Sequence, residues 1–145
     1  MPTSIVDTNV LVYWIDREDE ERHEIADRFI ASITRSPADY VVAEQNLREF
    51  AAVATHRTAM DEAEFTESFR TIQAVFLETL AETPEDYLEA FRLVKRHKAP
   101  YWDALLVATM RRHGIHAIIT ENEKDFKKFP GIRVINPFKG GRLEE

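Results

Sequence analysis

The chain has 145 residues, the size of one compact domain, and 44% are hydrophobic, enough for a single buried core. With no cysteine, a disulfide framework, thiolate zinc ligation and a cysteine nucleophile are all excluded. Nineteen basic residues against 26 acidic give a net charge of −7, so bulk charge alone would not hold this chain on nucleic acid. Carboxylates gathered locally could still reach a phosphate through divalent cations.

Ser4-Ile5-Val6 is a short apolar run that stops at Asp7 and reads as a buried strand. Thr8-Asn9 resembles a helix cap before Val10–Ile15. In Glu20–Ile33, Ile25, Phe29 and Ile33 recur four apart after an acidic start, which predicts an amphipathic helix. Ser36-Pro37-Ala38-Asp39 is a turn, Tyr40–Ala43 a second strand, and Glu44 to about Arg57 a helix. Asp61 with Glu64 forms a capping-box pattern for a helix through Phe65, Phe69, Ile72 and Phe76. Leu77–Ala81 is expected as a third strand. Thr83-Pro84 starts a helix to about His97, and Tyr101–His113 a further one, closed by Gly114 in a left-handed conformation. Strands follow at His116–Thr120 and Ile132–Ile135. Residues 1–138 are expected as one domain and 139–145 as a short polar tail. The N-terminus lacks the basic-then-apolar pattern of a leader, and no apolar run approaches the roughly 18 residues of a membrane span, so a cytoplasmic protein is expected.

Short apolar strands alternating with helices predict an α/β fold whose parallel sheet is covered on both faces. Ligands in such sheets sit beyond the carboxyl ends of the strands. Asp7 directly follows the first strand, as a helix cap or as a ligand. Asp103 opens the Tyr101–His113 helix on the side of Leu106, Val107 and Met110, either answering the helix dipole or facing a site. Asp125 lies in the polar stretch Thr120–Phe126. Glu49 stands opposite the apolar face of Leu47, Phe50, Ala51 and Ala54, which suggests a solvated side chain, although Ala52 and Val53 make the other side apolar too and suggest a helix covered nearly all round; Glu44 rivals it at the end of the second strand. Converging carboxylates need counter-charge, and oxygen-only ligation favours Mg²⁺ or Mn²⁺.

Taken in order, these residues resemble the PIN-domain ribonucleases, and among them the VapC-like toxins of toxin–antitoxin pairs. The resemblance rests on Ile5-Val6-Asp7-Thr8-Asn9-Val10-Leu11, Asn46-Leu47-Arg48-Glu49-Phe50, Tyr101-Trp102-Asp103-Ala104-Leu105, and Ile118-Ile119-Thr120-Glu121-Asn122 through Asp125-Phe126. It runs from Ser4 to about Pro137 and favours Glu49 over Glu44. It implies a three-layer α/β/α fold with a five-stranded parallel sheet, and Mg²⁺-dependent hydrolysis of RNA, with Mn²⁺ as a possible substitute. Asp7 and Asp103 would be the main metal ligands. Glu49 and Asp125 would complete a catalytic pocket of four acids, and Thr8, Asn9 and Thr120 would hydrogen-bond within it. Many members carry an acid where Asn122 stands, so Asn122 is expected to offer a neutral oxygen. An antitoxin partner and a homodimer are also implied.

RNA phosphates would need local positive charge, for which Arg48, Arg57, Lys124 and Lys127 are the candidates, with a denser basic run at Arg92–Lys98. Tyr13, Trp14 and Trp102 could stack on bases or sit in the core. Two rival readings are a catalytically silent binding module and an aspartyl phosphatase. The phosphatase would need an acid at position 9, where Asn9 cannot donate a proton.

Overall fold

The computed structural model describes residues 2–57 and 59–139, with the side chain of Arg57 outside the described residues. β1 (Ser4–Val6) is buried throughout, as the central strand of a parallel sheet must be. It pairs in parallel with β2 (Tyr40–Ala43), Ile5 opposite Val41, and with β4 (Ala117–Ile119), Ile5 opposite Ile118. β3 (Thr79–Leu80) lies outside β2 and β5 (Arg133–Ile135) outside β4, giving the all-parallel order β3-β2-β1-β4-β5.

Side-chain alternation along the strands supplies two cores. Ile5, Val41, Leu80 and Ile118 pack with α5 (Pro84–His97) and α6 (Tyr101–Arg112), chiefly through Leu93, Leu105, Leu106 and Met110. Val6, Val42 and Ile119 point the other way. They meet α1 (Thr8–Ile15), α2 (Glu20–Ile33), α3 (Glu44–Arg57) and α4 (Glu62–Val75) through Leu11, Phe29, Phe50 and Ile72. This is the expected three-layer α/β/α architecture. The chain builds outward from β1 on one side and returns to its other side at β4, so the strand order reverses at β1. In open sheets that reversal opens a crevice at the strands' carboxyl ends, and Asp7 stands there.

The capping box expected at Asp61 and Glu64 opens α4: the Glu64 N–H donates to Asp61 Oδ1 at 2.8 Å and the Asp61 N–H to Glu64 Oε1 at 2.9 Å. Gly114 follows α6 with φ +72°, the left-handed conformation that its missing Cβ permits.

Three elements differ from expectation. α1 begins at Thr8, so of the two caps the sequence offers it takes Asp7 and not Thr8-Asn9; Thr8 and Asn9 spend their side chains on other elements instead. The third strand shrinks to Thr79–Leu80, because only these residues pair with β2, and Leu77 is left exposed. The polar stretch after β4 contains a short helix, α7 (Glu123–Phe126), anchored by buried Phe126. Residues 140–145 of the expected tail lie outside the described residues. No helix among the described residues is long and apolar enough to cross a membrane.

α6, which carries Asp103, is buried on every side from Ala104 to Met110. A polar clamp locks it to α5. Asp86 is only 2% exposed and accepts the Thr83 N–H in the α5 cap. Arg112 Nε donates to both Asp86 oxygens at 2.9 and 3.1 Å, and its Nη2 donates to Ala81 O. Burial alone would raise the Asp86 pKa, but Arg112 and the Thr83 N–H outweigh it and hold the carboxyl below its usual value. Arg112→Met should therefore destabilise the fold by about 2 kcal/mol, less than for a fully buried pair because the Arg112 side chain is 35% exposed. Since a lowered pKa stabilises only where the carboxyl is ionised, the difference in urea unfolding should be full at pH 7 and shrink below about pH 4.

Candidate active site

Asp7 ends the central strand and is 9% exposed. Its backbone N–H remains in the sheet, donating to Ile119 O. Among the described residues, its carboxylate is held only by neutral donors. Oδ1 accepts the Thr8 N–H at 2.8 Å and Asn46 Nδ2 at 3.4 Å; Oδ2 accepts the Thr120 hydroxyl at 2.7 Å and Asn9 Nδ2 at 3.3 Å. The two short bonds set the carboxylate's direction, and the two long amide contacts engage it weakly. Asn9 also donates to Thr120 Oγ1, and its Oδ1 accepts the Glu121 N–H, tying α1 to the end of β4.

The structure brings Glu49 to the same place. It projects from α3 and accepts the Thr8 hydroxyl at 2.7 Å. α3 buries Phe50 in the core on one side and lines the crevice with Glu49 and Val53 on another. The apolar-face rule finds the first surface and misses the second. Asp103, in the first turn of α6, also faces the crevice. Together Asp7, Glu49, Asp103 and Asp16 form the acidic part of a cavity of about 470 Å³, and Val12, Tyr13 and Val53 make its apolar wall.

Burial raises the Asp7 pKa to about 6, with the Glu49 charge adding to the rise and bonds from Thr120 and Thr8 opposing it. Burial also raises Asp103, to about 7, helped by repulsion from Asp7, Asp125 and Glu49 and opposed by Asn122. Among the described residues, no cationic side chain relieves either group. Asp125 does have a counter-ion, since Lys128 Nζ lies 3.3 Å from its Oδ1. Asn122 turns its Nδ2 toward Asp103 Oδ2 at 3.4 Å, and its Oδ1 accepts the Asp125 N–H as the α7 cap. The neutral oxygen expected of Asn122 is therefore engaged with the backbone, and the side chain faces Asp103 as a donor.

Among the expected phosphate-binding residues, Arg48 is turned to Glu82, with Nη2 2.9 Å from both carboxylate oxygens. Lys127 pairs with Glu123 at 3.1 Å, and Lys124 is exposed on α7. The Arg57 side chain lies outside the described residues. Of the aromatic candidates, Tyr13 lines the cavity, and Trp102 is 59% exposed beside Asp103. Trp14 is half-buried against the core that includes α1.

Sequence reasoning passed over Asn46 as a site residue, although it is fully buried and touches both Asp7 and Thr8. The available signal is an amide three residues after Ala43, the spacing at which a side chain reaches back to the backbone N–H before a helix. It also passed over a rim formed by Tyr13, Glu121 and Arg22. The Tyr13 hydroxyl donates to Glu121 Oε1 at 2.7 Å, and Arg22 bonds Glu121 while its guanidinium lies 5.6 Å from the Tyr13 ring centre.

The donor set suits a hard divalent cation, because the cavity offers carboxylates and no imidazole, and its charge is unbalanced. Among the described residues, no three histidine or acidic side chains already stand together as an ion cage. A cation would therefore have to draw the carboxylates inward.

A family model described as PIN domain matches residues 4–132. Ribonuclease VapC48 of Mycobacterium tuberculosis is 58% identical over 38 residues, and the match spans only 26% of this chain and 26% of that protein. Among solved structures, Mycobacterium tuberculosis VapC20, described as a sarcin-ricin loop cleaving toxin, superposes with a TM-score of 0.68 at 20% identity, over 91% of this chain and 98% of its own. A toxin–antitoxin complex from Klebsiella pneumoniae superposes with a TM-score of 0.62 at 21% identity, over 93% and 98% of the respective chains. At these identities the structures establish a shared fold.

The raised pKa of Asp103 carries a sign. A carboxyl whose folded pKa lies above its unfolded value favours folding where it is protonated, and that advantage is lost as pH rises through about 7. Asp103→Asn should therefore raise the melting temperature of metal-free protein at pH 8, by about 2–4 °C per kcal/mol relieved. The gain should fade toward pH 5, as calorimetry would show.

Proposed function

The chain belongs to the PIN domain family, and from that premise we propose that it is a divalent-metal-dependent endoribonuclease that cuts RNA in the crevice headed by Asp7. The observation that carries the reading is the pair Asp7 and Asp103, one buried and one half-buried acid facing one cavity, with no cationic side chain among the described residues to neutralise them. They would hold Mg²⁺, or Mn²⁺ in its place. Bound there, the ion would supply positive charge against the phosphate and acidify attacking water. Asp7 is aimed by the Thr8 N–H and the Thr120 hydroxyl. Glu49 and Asp125 add negative charge from α3 and α7, completing the four-acid pocket, while Asn9 and Asn122 hold their neighbours by neutral hydrogen bonds. The acidic crevice would repel RNA phosphates until a cation occupies it.

Arg48, Arg57, Lys124 and Lys127 are the proposed phosphate contacts outside the crevice. Arg48 and Lys127 would exchange Glu82 and Glu123 for phosphate on binding. The short match to a named ribonuclease supports RNA as substrate. The likeness to a toxin–antitoxin complex supports a toxin role with a cognate antitoxin. A homodimer in the cytoplasm completes the proposal.

The test is cleavage of a total cellular RNA pool by partner-free protein with Mg²⁺ or Mn²⁺, then with excess chelator. Discrete fragments should appear only with metal. The Asp7→Asn/Asp103→Asn variant should remain folded and lose activity by on the order of 10²–10³-fold. Metal-independent fragments, or full activity in that variant, would defeat the reading. Absence of both cleavage and cation binding would leave a binding module.

A further inference from the structure

We propose that Asn46 is a positioning residue that sets Asp7 and Glu49 relative to each other through the Thr8 hydroxyl; its functional consequence rests on the nuclease reading above. Asn46 is 0% exposed and occupies the third position of α3. Ala43, just before that helix, has no side chain that can cap it. Asn46 Oδ1 supplies the other half of a capping box, accepting the Ala43 N–H at 2.9 Å. That bond fixes which way the amide points.

With its oxygen turned back to Ala43, Asn46 must send its nitrogen forward. Nδ2 lies 3.1 Å from Thr8 Oγ1 and 3.4 Å from Asp7 Oδ1. Thr8 has a single hydroxyl proton. Because Asn46 donates to its oxygen, that proton is left for Glu49 Oε1, at 2.7 Å. The donors thus run one way, from the Ala43 N–H through Asn46 and Thr8 to Glu49. A branch reaches Asp7, so one buried amide connects an acid at the β1–α1 junction with one on α3.

The identity of the residue argues for the pocket role. Capping alone would be served by aspartate. α5 uses Asp86 at the matching third position, where it accepts the Thr83 N–H at 2.9 Å. An aspartate at 46 would keep the cap, but its ionised carboxylate has no proton to donate to Thr8 or Asp7. Only an amide serves both ends.

The experiment compares Asn46→Ala, Thr8→Val and their double variant with Thr109→Val, a buried hydroxyl loss in the α5–α6 clamp, remote from the crevice. Four properties are read: melting temperature, Mn²⁺ affinity by calorimetry, kcat and KM on RNA, and the Glu49 side chain in a crystal structure of Asn46→Ala. Both single variants should lower Mn²⁺ affinity and kcat by about 10- to 100-fold, with KM within about two-fold. The double variant should be no worse than the weaker single one, because both break the same chain. Glu49 should leave Thr8 in Asn46→Ala, and Thr109→Val should lose stability alone. Additive losses, an unmoved Glu49, or stability loss with unchanged Mn²⁺ affinity would overturn the proposal. If wild-type protein neither binds Mn²⁺ nor cuts RNA, the nuclease reading fails by itself, and the position of Glu49 decides the role of Asn46.

Discussion

A carboxyl buried at the end of the central strand constrains everything around it. Burial holds Asp7 near pH 6 instead of its ordinary 3.8. Ionising it at neutral pH therefore opposes folding by about 3 kcal/mol, at about 1.4 kcal/mol per pH unit. A domain of this kind has only about 5–15 kcal/mol of net stability. Such a group persists only where the surrounding structure holds it. Here α1 begins on it, β4 reaches it through Thr120, and α3 reaches it through Asn46.

The chain treats its two most buried aspartates in opposite ways. Asp86 is given a full counter-charge, Arg112, so its pKa falls and its charge is satisfied within the fold. Asp7 is given peptide, hydroxyl and amide donors, which aim the carboxylate without cancelling its charge. The first arrangement joins two helices. The second leaves a demand for positive charge facing a cavity, and Asp103 adds to it from α6.

Much of the sheet was legible because its signal is local. Ser4-Ile5-Val6, Tyr40–Ala43 and Ala117-Ile118-Ile119 are short apolar runs ending in polar residues, and that is how a strand buried on both faces reads. The sequence offers α1 two caps, Asp7 and Thr8-Asn9, and cannot choose between them locally, because the Thr8 and Asn9 side chains are drawn away by Glu49 and Thr120, distant in sequence. β3 was overextended because its length is set by pairing with β2. Glu49 is the clearest case. Its helical phase puts it away from the core, which is correct, and toward solvent, which is not; the apolar Ala52 and Val53 beside it hint at a second covered side, and Val53 does line the crevice. Family resemblance chose it where spacing could not. Asn46 stayed hidden because an amide's role depends on which end points where, and the Ala43 N–H determines that.

The central claim is that unrelieved charge at Asp7 and Asp103 makes the crevice a cation site. The most direct measurement is the melting temperature of the purified chain at pH 8 with rising Mg²⁺ or Mn²⁺, beside the Asp7→Asn/Asp103→Asn variant. The wild type should gain stability with the logarithm of cation concentration above its dissociation constant, and the variant should not respond. A wild-type melting temperature indifferent to cation, or an equal rise in both proteins, would contradict the account.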